Sequence, residues 1–333
     1  MASMGVMRRR HRQSWWWRPL SFRKVVLLVL IACIFLAFAP VLFLRLLSKE
    51  RLSRKCSWLG NRPLVCAHGG DTRNTPPNTL EAFDEALKLD VDCIEIDVSS
   101  SQDGELVALH DRDLQNLYGN DYIRVGDLTF NEIVRLDAGQ NFANKFHNQI
   151  MVPTLLKSLQ HVSNRVKRII VDAKIGHPAY VATLARRILD AVNYTDCRNC
   201  IIWSKEDNLV RELKKLAPHV PVGFIVLKEG TMNSPTRIKA AEVVGAYYGA
   251  VDAGFVKKIH ESRKLVFVWT VDDGEKMKDM LFDGVDGIIT SQSQLLLGTM
   301  NQIERECSDE GAVYIKLHNM TSAVKNGIRG LFS

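Results

Sequence analysis

Glu95 and Asp97 stand two residues apart in the apolar run Cys93-Ile94-Glu95-Ile96-Asp97-Val98. Such a run forms a buried strand, and because side chains alternate along a strand the two carboxylates point the same way. A buried carboxylate pair is costly unless something positive sits between the two groups. A hard divalent cation with oxygen ligands, Mg²⁺ or Ca²⁺, meets that need. His68 closes the strand-like run 64–68, His110 closes 106–110, and Asp172 and Lys174 share a face late in 168–174. A single strand-end His is commonly a packed residue, and a single Lys a solvated one. Two His, three carboxylates and a Lys at strand ends together describe a metal held by acids, with two imidazoles free to move protons.

These residues need a frame that gathers strand ends. From residue 63 short β runs alternate with helical periodicity. Strands are expected at 64–68, 93–98, 106–110, 168–174, 200–203, 222–226, 265–271 and 286–290, with a weaker one at 243–250. Helices are expected from Asn78 to about 89, then at 153–162, 178–192, 206–216, 235–242, 253–262 and 275–282. Asn78-Thr79-Leu80-Glu81 has the form of a capping box, with Asn78 as N-cap. The link between 93–98 and 106–110 is too short for a crossover helix, which leaves a hairpin or an irregular step. Residues 111–152 are polar and weakly periodic, an excursion above the fold. Alternation of this kind over some 230 residues predicts a (β/α)8 TIM barrel, where chemistry sits at the C-terminal ends of the strands. A doubly wound open sheet is the alternative, weakened by the lack of a Gly-rich loop after the first strand.

The formal charge of +7 is unevenly spread. Of 44 Lys/Arg and 37 Asp/Glu, residues 1–55 hold twelve and one, leaving 32 and 36 for the rest, a net −4. The basic character belongs to the N-terminus and points to no nucleic acid. Residues 25–44 carry no charge, enough to cross a bilayer as a helix. The expected organisation is a basic cytosolic tail at 1–24, a transmembrane anchor at 25–47, a linker at 48–62, the barrel at 63–299 and an extension at 300–333. A cleaved signal peptide ending at Ala37-Phe38-Ala39 is the rival, disfavoured by the length of the run and by Pro40. Seven Lys/Arg before the run and five after it place the barrel on the luminal or extracellular side of a single-pass membrane protein. The sequons at Asn193 and Asn319 agree with that orientation. Among seven cysteines, Cys197 and Cys200 are either a local disulfide or two free thiols, and no zinc site is complete.

His68-Gly69-Gly70, Pro76-Pro77-Asn78-Thr79, Glu95-Ile96-Asp97, Asp103-Gly104, His110-Asp111, Pro153-Thr154-Leu155, Asp172-Ala173-Lys174, Trp269-Thr270-Val271 and Asp286-Gly287-Ile288-Ile289-Thr290 occur in order. This ordered set resembles the glycerophosphodiester phosphodiesterase family, a barrel related to the phosphoinositide phospholipases, over about residues 64–291. The resemblance implies that Glu95, Asp97 and Asp172 bind Mg²⁺ or Ca²⁺, that His68 and His110 are general base and acid, that Lys174 contacts phosphate, and that Trp269 lines the wall near the glycerol. It implies hydrolysis of glycerophosphodiesters to glycerol 3-phosphate and an alcohol such as choline or ethanolamine. Gly69 stands where the family usually has a phosphate-binding Arg, Pro77 replaces a Glu, Asp172 is one methylene shorter than the usual Glu, Asp272 replaces an Asn, and Ser291 replaces an acid. Plant members with a similar His-Gly-Gly form are known, and Arg73, in the same loop, is the candidate replacement for the missing Arg. A catalytically weak phosphodiester-binding protein and a lysophospholipase D are the competing functions.

Overall fold

The computed structural model describes residues 52–309 except 53, 143–147, 177–180 and 228–235, and in the N-terminal unit residues 23, 26–33, 35, 36, 43 and 50. The chain divides into two units, Met1–Arg51 and Leu52–Ser333. In the first, the described residues are helical. Among the described residues, however, no helix is long and apolar enough to cross a membrane. That finding overturns the expected single-pass anchor, and with it the luminal or extracellular placement. Of the two sequons, Asn193 is exposed and Asn319 lies outside the described residues.

The second unit is the barrel. β1 (Leu64–His68) pairs in parallel with both β2 (Cys93–Ser100) and β9 (Gly287–Thr290), which closes the sheet. Between them run β4 (Arg168–Ala173), β5 (Cys200–Ser204), β6 (Val222–Val226), β7 (Val243–Tyr247) and β8 (Leu265–Trp269), each parallel to its neighbours. Eight parallel strands therefore form the barrel. β3 (Leu106–Ala108) is antiparallel to the far end of β2, so the short connection is a hairpin.

Three apolar clusters follow from this arrangement. Inward residues of alternate positions, including Cys66, Cys93, Ile170, Ile201, Trp203 and Phe267, fill the barrel. Trp203 fits because its neighbours are glycines: a Cβ on Gly245 would lie 2.8 Å from its ring. The outward residues pack under α1 (Leu80–Lys88), α4 (Leu155–Val162), α5 (Val181–Tyr194), α6 (Asp207–Leu216), α7 (Ala253–Glu261), α8 (Gly274–Asp283) and α9 (293–309). The excursion holds α2 (Asp111–Tyr118) and the single turn α3 (Phe130–Ile133) over a small core of its own, with Leu109, Leu114, Val125, Ile133 and Ile150.

Two local expectations fail. The cap of α1 is Thr79, whose hydroxyl accepts from the Ala82 N–H at 3.3 Å; Asn78 is in the left-handed region at φ 60° and has another task. The helix expected at 235–242 is absent from the described residues 236–242. There the buried Lys264 ammonium takes the carbonyls of Ile238 (2.9 Å), Lys239 (2.8 Å) and Ala241, which a helix would have reserved for its own N–H groups. Two disulfides form: Cys197–Cys200 locally, and Cys56–Cys307 across 251 residues.

Candidate active site

Strand alternation and register assemble the site at the C-terminal mouth of the barrel. His68 is the last residue of β1 and sits beside Glu95 of β2 in register; two residues on, Asp97 is beside Asp172 of β4, which is beside Trp203 of β5. Lys174 follows β4, His110 follows β3, and Trp269 ends β8. All seven sequence-predicted residues other than Arg73 line one cavity, namely His68, Glu95, Asp97, His110, Asp172, Lys174 and Trp269. Arg73 does not line it. Its Nε is bound to both carboxylate oxygens of Asp71, at 3.1 and 3.2 Å, and its guanidinium also donates to Gln294. Residues not singled out in the sequence join the lining, among them Arg112, Lys205 and Trp203.

The three carboxylates are nearly inaccessible, with Glu95 2% exposed, Asp97 1% and Asp172 5%. Asn78 holds Asp97 from both sides: its Nδ2 donates to Asp97 Oδ2 at 3.0 Å, and its Oδ1 accepts from the Asp97 N–H at 2.9 Å. The Gly69 N–H donates to Glu95 Oε2 at 3.2 Å. Lys174 Nζ lies 2.7 Å from Asp97 Oδ1 and donates to Asp172 Oδ2. Burial pushes the Glu95 carboxyl well up, helped by Asp97 and Asp172. Burial also raises Asp172 against the pull of Lys174. For Asp97 burial is outweighed by Lys174, His68 and His110, which hold it low. Burial likewise opposes the Lys174 ammonium, but Asp97, Asp172 and Glu95 hold its pKa above the ordinary range.

Donor chemistry fits a hard cation. One ligand atom each from His68, Glu95 and Asp97 lies within 4.8 Å of the others. Asp97 Oδ1 and Asp172 Oδ1 are buried and accept no hydrogen bond; the approach of Lys174 to the former is an ion pair without hydrogen-bond geometry. Buried carboxylate oxygens without a hydrogen-bond donor are what a divalent cation takes up. The compact cluster contains His68 where Asp172 was expected, because Asp172 is turned to Lys174.

The two imidazoles differ in their partners. His110 caps α2, its Nδ1 accepting from the Arg112 N–H at 2.9 Å, so the neutral ring carries its proton on Nε2. Its pKa is pulled down to about 4, chiefly by burial. His68 Nδ1 lies 3.2 Å from Ser291 Oγ, and burial lowers its pKa as well. Opposite them, Lys205 Nζ stands 5.7 Å from the centre of the Trp269 ring, which meets Tyr247 edge-on at 6.0 Å. Neither Arg112, two residues beyond His110, nor Lys205, just past β5, is marked by local pattern; only the barrel's closure brings them to the mouth.

Comparison with known proteins agrees with this geometry. Residues 68–295 match the glycerophosphoryl diester phosphodiesterase family. The chain is 41% identical over 313 residues to glycerophosphodiester phosphodiesterase GDPD4 of Arabidopsis thaliana, covering 92% of this chain and 94% of that one. It is 31% identical over 245 residues to a glycerophosphodiester phosphodiesterase of Caldanaerobacter subterraneus, covering 72% and 99%. Among solved structures, an Oleispira antarctica phosphodiesterase in complex with the product sn-glycerol-3-phosphate superposes with a TM-score of 0.65 at 20% identity, covering 72% of this chain and 97% of that one, which speaks for the fold. Family match, relatives and barrel mouth agree: the chain is an enzyme of the glycerophosphoryl diester phosphodiesterase family.

Proposed function

We propose that the protein hydrolyses glycerophosphodiesters such as glycerophosphocholine or glycerophosphoethanolamine to glycerol 3-phosphate and an alcohol, with His68 and His110 moving the protons. The observation that carries this reading is the convergence of two imidazoles, a buried carboxylate set and three cationic side chains on one cavity. Glu95 and Asp97, with Asp172 beside them, would hold the divalent cation. When bound, Mg²⁺ or Ca²⁺ supplies charge neutralisation and orientation at the phosphorus. Lys174, Arg112 and Lys205 bind the phosphate oxygens and supply the positive charge that Gly69 does not. Burial lowers both imidazole pKa values, and the neutral His68 is ready to accept a proton. His68 takes the proton of the nucleophile, water or the glycerol 2-hydroxyl. His110 protonates the leaving oxygen from Nε2 as an imidazolium, a form that the anionic phosphate beside it favours and in which Nδ1 gives up its hydrogen bond from Arg112. Trp269 forms a flat wall for the glycerol carbons.

A panel of glycerophosphocholine and glycerophosphoethanolamine assayed with Mg²⁺, Ca²⁺ and chelator tests the reading. Turnover abolished by chelation is expected; binding of the diesters without turnover would favour the weak binding protein instead. His68 is near enough to the carboxylates to be a ligand, yet it cannot ligate and accept a proton with the same nitrogen. His68→Ala should therefore remove activity while leaving metal affinity within about threefold, and a large loss of affinity would move His68 from proton transfer to ligation.

A further inference from the structure

Beside the catalytic cavity runs a second groove of about 1080 Å³ that shares His68, Arg112 and Thr270 with it. The loop residues Pro76 and Pro77 form one side, and Leu117 and Phe142 of the excursion form the other. A ligand whose phosphate sits among Lys174, Arg112 and His68 has this groove beside it to take its second ester group. Its walls mix apolar and polar side chains, and its charge is not balanced. Asp113 and Asp272 both line it, against Arg112. Asp272 is engaged: its Oδ1 accepts from Thr290 Oγ1 at 3.0 Å and from the Ser291 N–H at 2.7 Å. Asp113 is engaged at one oxygen only. Its Oδ1 accepts from Arg112 Nε at 3.3 Å in an ion pair, while its Oδ2 is buried and accepts no hydrogen bond. A buried carboxylate oxygen without a donor is a cost that a bound cation relieves.

Resting on the function proposed above, we infer that this groove binds the leaving alcohol of the diester and that Asp113 makes it selective for alcohols carrying an ammonium group. The choice of an amine over a long acyl chain follows from charge. An acyl chain lying along Pro77, Leu117 and Phe142 would cover the Asp113 carboxylate and leave its Oδ2 without a partner, whereas a trimethylammonium or ammonium group adds a second cation beside Arg112 and presents its carbons to the same apolar side chains. Asp113 touches the substrate on this reading but takes no part in bond making; it sets which diester is held.

The test compares the full chain and Asp113→Asn on two substrates differing only in the charge of the second alcohol, glycerophosphocholine and glycerophosphoglycerol. The ratio of their kcat/KM values should fall about tenfold in the variant, equivalent to about 1.4 kcal/mol, and the change should lie in KM for the choline ester. Using the ratio cancels any shared loss from misfolding. An unchanged ratio would overturn the assignment. Tetramethylammonium provides a check without mutation: it should inhibit glycerophosphocholine hydrolysis competitively, and no inhibition at tens of millimolar counts against an ammonium site. Faster turnover of lysophospholipid diesters than of either water-soluble diester would replace the amine with the acyl chain as occupant. Should neither diester be turned over, calorimetric binding of the same pair to both proteins gives the same ratio. A choline preference lost in Asp113→Asn would then uphold the groove while the hydrolytic reading fell.

Discussion

Burial of three acids side by side, with their mutual repulsion added, dominates the energetics of individual residues in this site, and it makes the site a cost to the fold until a cation arrives. Glu95 has its pKa raised in the folded state by burial and by Asp97 and Asp172. A raised carboxyl pKa contributes stability only below the unfolded value, near 4.3, and loses it as pH rises through the folded pKa. Ionising Glu95 is therefore destabilising in the metal-free protein. Glu95→Gln should raise the metal-free Tm at pH 7–8 by a few degrees, show little gain near pH 4, and abolish the stabilisation that added Mg²⁺ or Ca²⁺ gives the wild type. A variant that melts lower than wild type at pH 8 would show that the carboxylate's hydrogen bond to Gly69 outweighs the repulsion. Gly69 itself answers a second question. Restoring an arginine there is attractive on paper, but Gly69 has φ +64°, and a Cβ would meet Pro77 Cβ at 3.1 Å and Asn78 N at 3.2 Å. Gly69→Arg should cost about 1–2 kcal/mol and lower kcat/KM by disturbing the Asn78 that steadies Asp97; higher activity with unchanged Tm would show that the loop accommodates the side chain.

Secondary structure was most legible where the signal is local. The period-two pattern of β2 placed both acids on the inner face, and the ends of β1, β4 and β8 came within a residue or two of their actual positions. It failed where a distant side chain decides. Nothing near residues 236–242 says that Lys264 will take their carbonyls, and nothing near Arg73 says that Gln294 will hold it. Asn78 is the instructive case. An Asn three residues before a Glu is a sound N-cap pattern, yet φ 60° turns its amide to Asp97, and the next residue, Thr79, takes the cap. The two positions can be separated by mutation. Thr79→Ala should cost about 1 kcal/mol, the usual value of a cap, with kcat/KM nearly intact. Asn78→Ala removes one bond to the buried Asp97 carboxylate and one from its backbone N–H, should cost about 1–3 kcal/mol, and should lower activity at least tenfold by freeing Asp97. Equal losses of activity in the two variants would mean that Asn78 serves only the helix.

At the scale of the molecule, the disulfide missing from any sequence pattern is the feature with the longest reach. Cys56 lies just before β1, at the end of the barrel away from the site, and Cys307 lies near the end of α9. Because α9 starts at residue 293, just past the catalytic mouth, and is about 25 Å long at 1.5 Å per residue, it runs back along the outside of the barrel. Its start is tied at the mouth by Gln294 to Arg73, and its end by the disulfide, by Lys55–Glu306 at 2.8 Å and, through the same N-terminal segment, by Arg54–Asp283 at 3.0 Å. The ion pairs are too exposed to contribute much, so the covalent link should carry most of the fastening. Closing a loop of this length restricts the unfolded chain strongly, and its loss is worth about 2–5 kcal/mol. The double variant Cys56→Ser/Cys307→Ser should lower the Tm by several degrees and let the end of α9 exchange its amides faster. Neither cysteine lines the cavity, so kcat/KM at 25 °C should change less than twofold. If activity fell sharply while the Tm held, α9 would be positioning Ser291 and Arg73 for catalysis, and the disulfide would belong to the site and not to the scaffold.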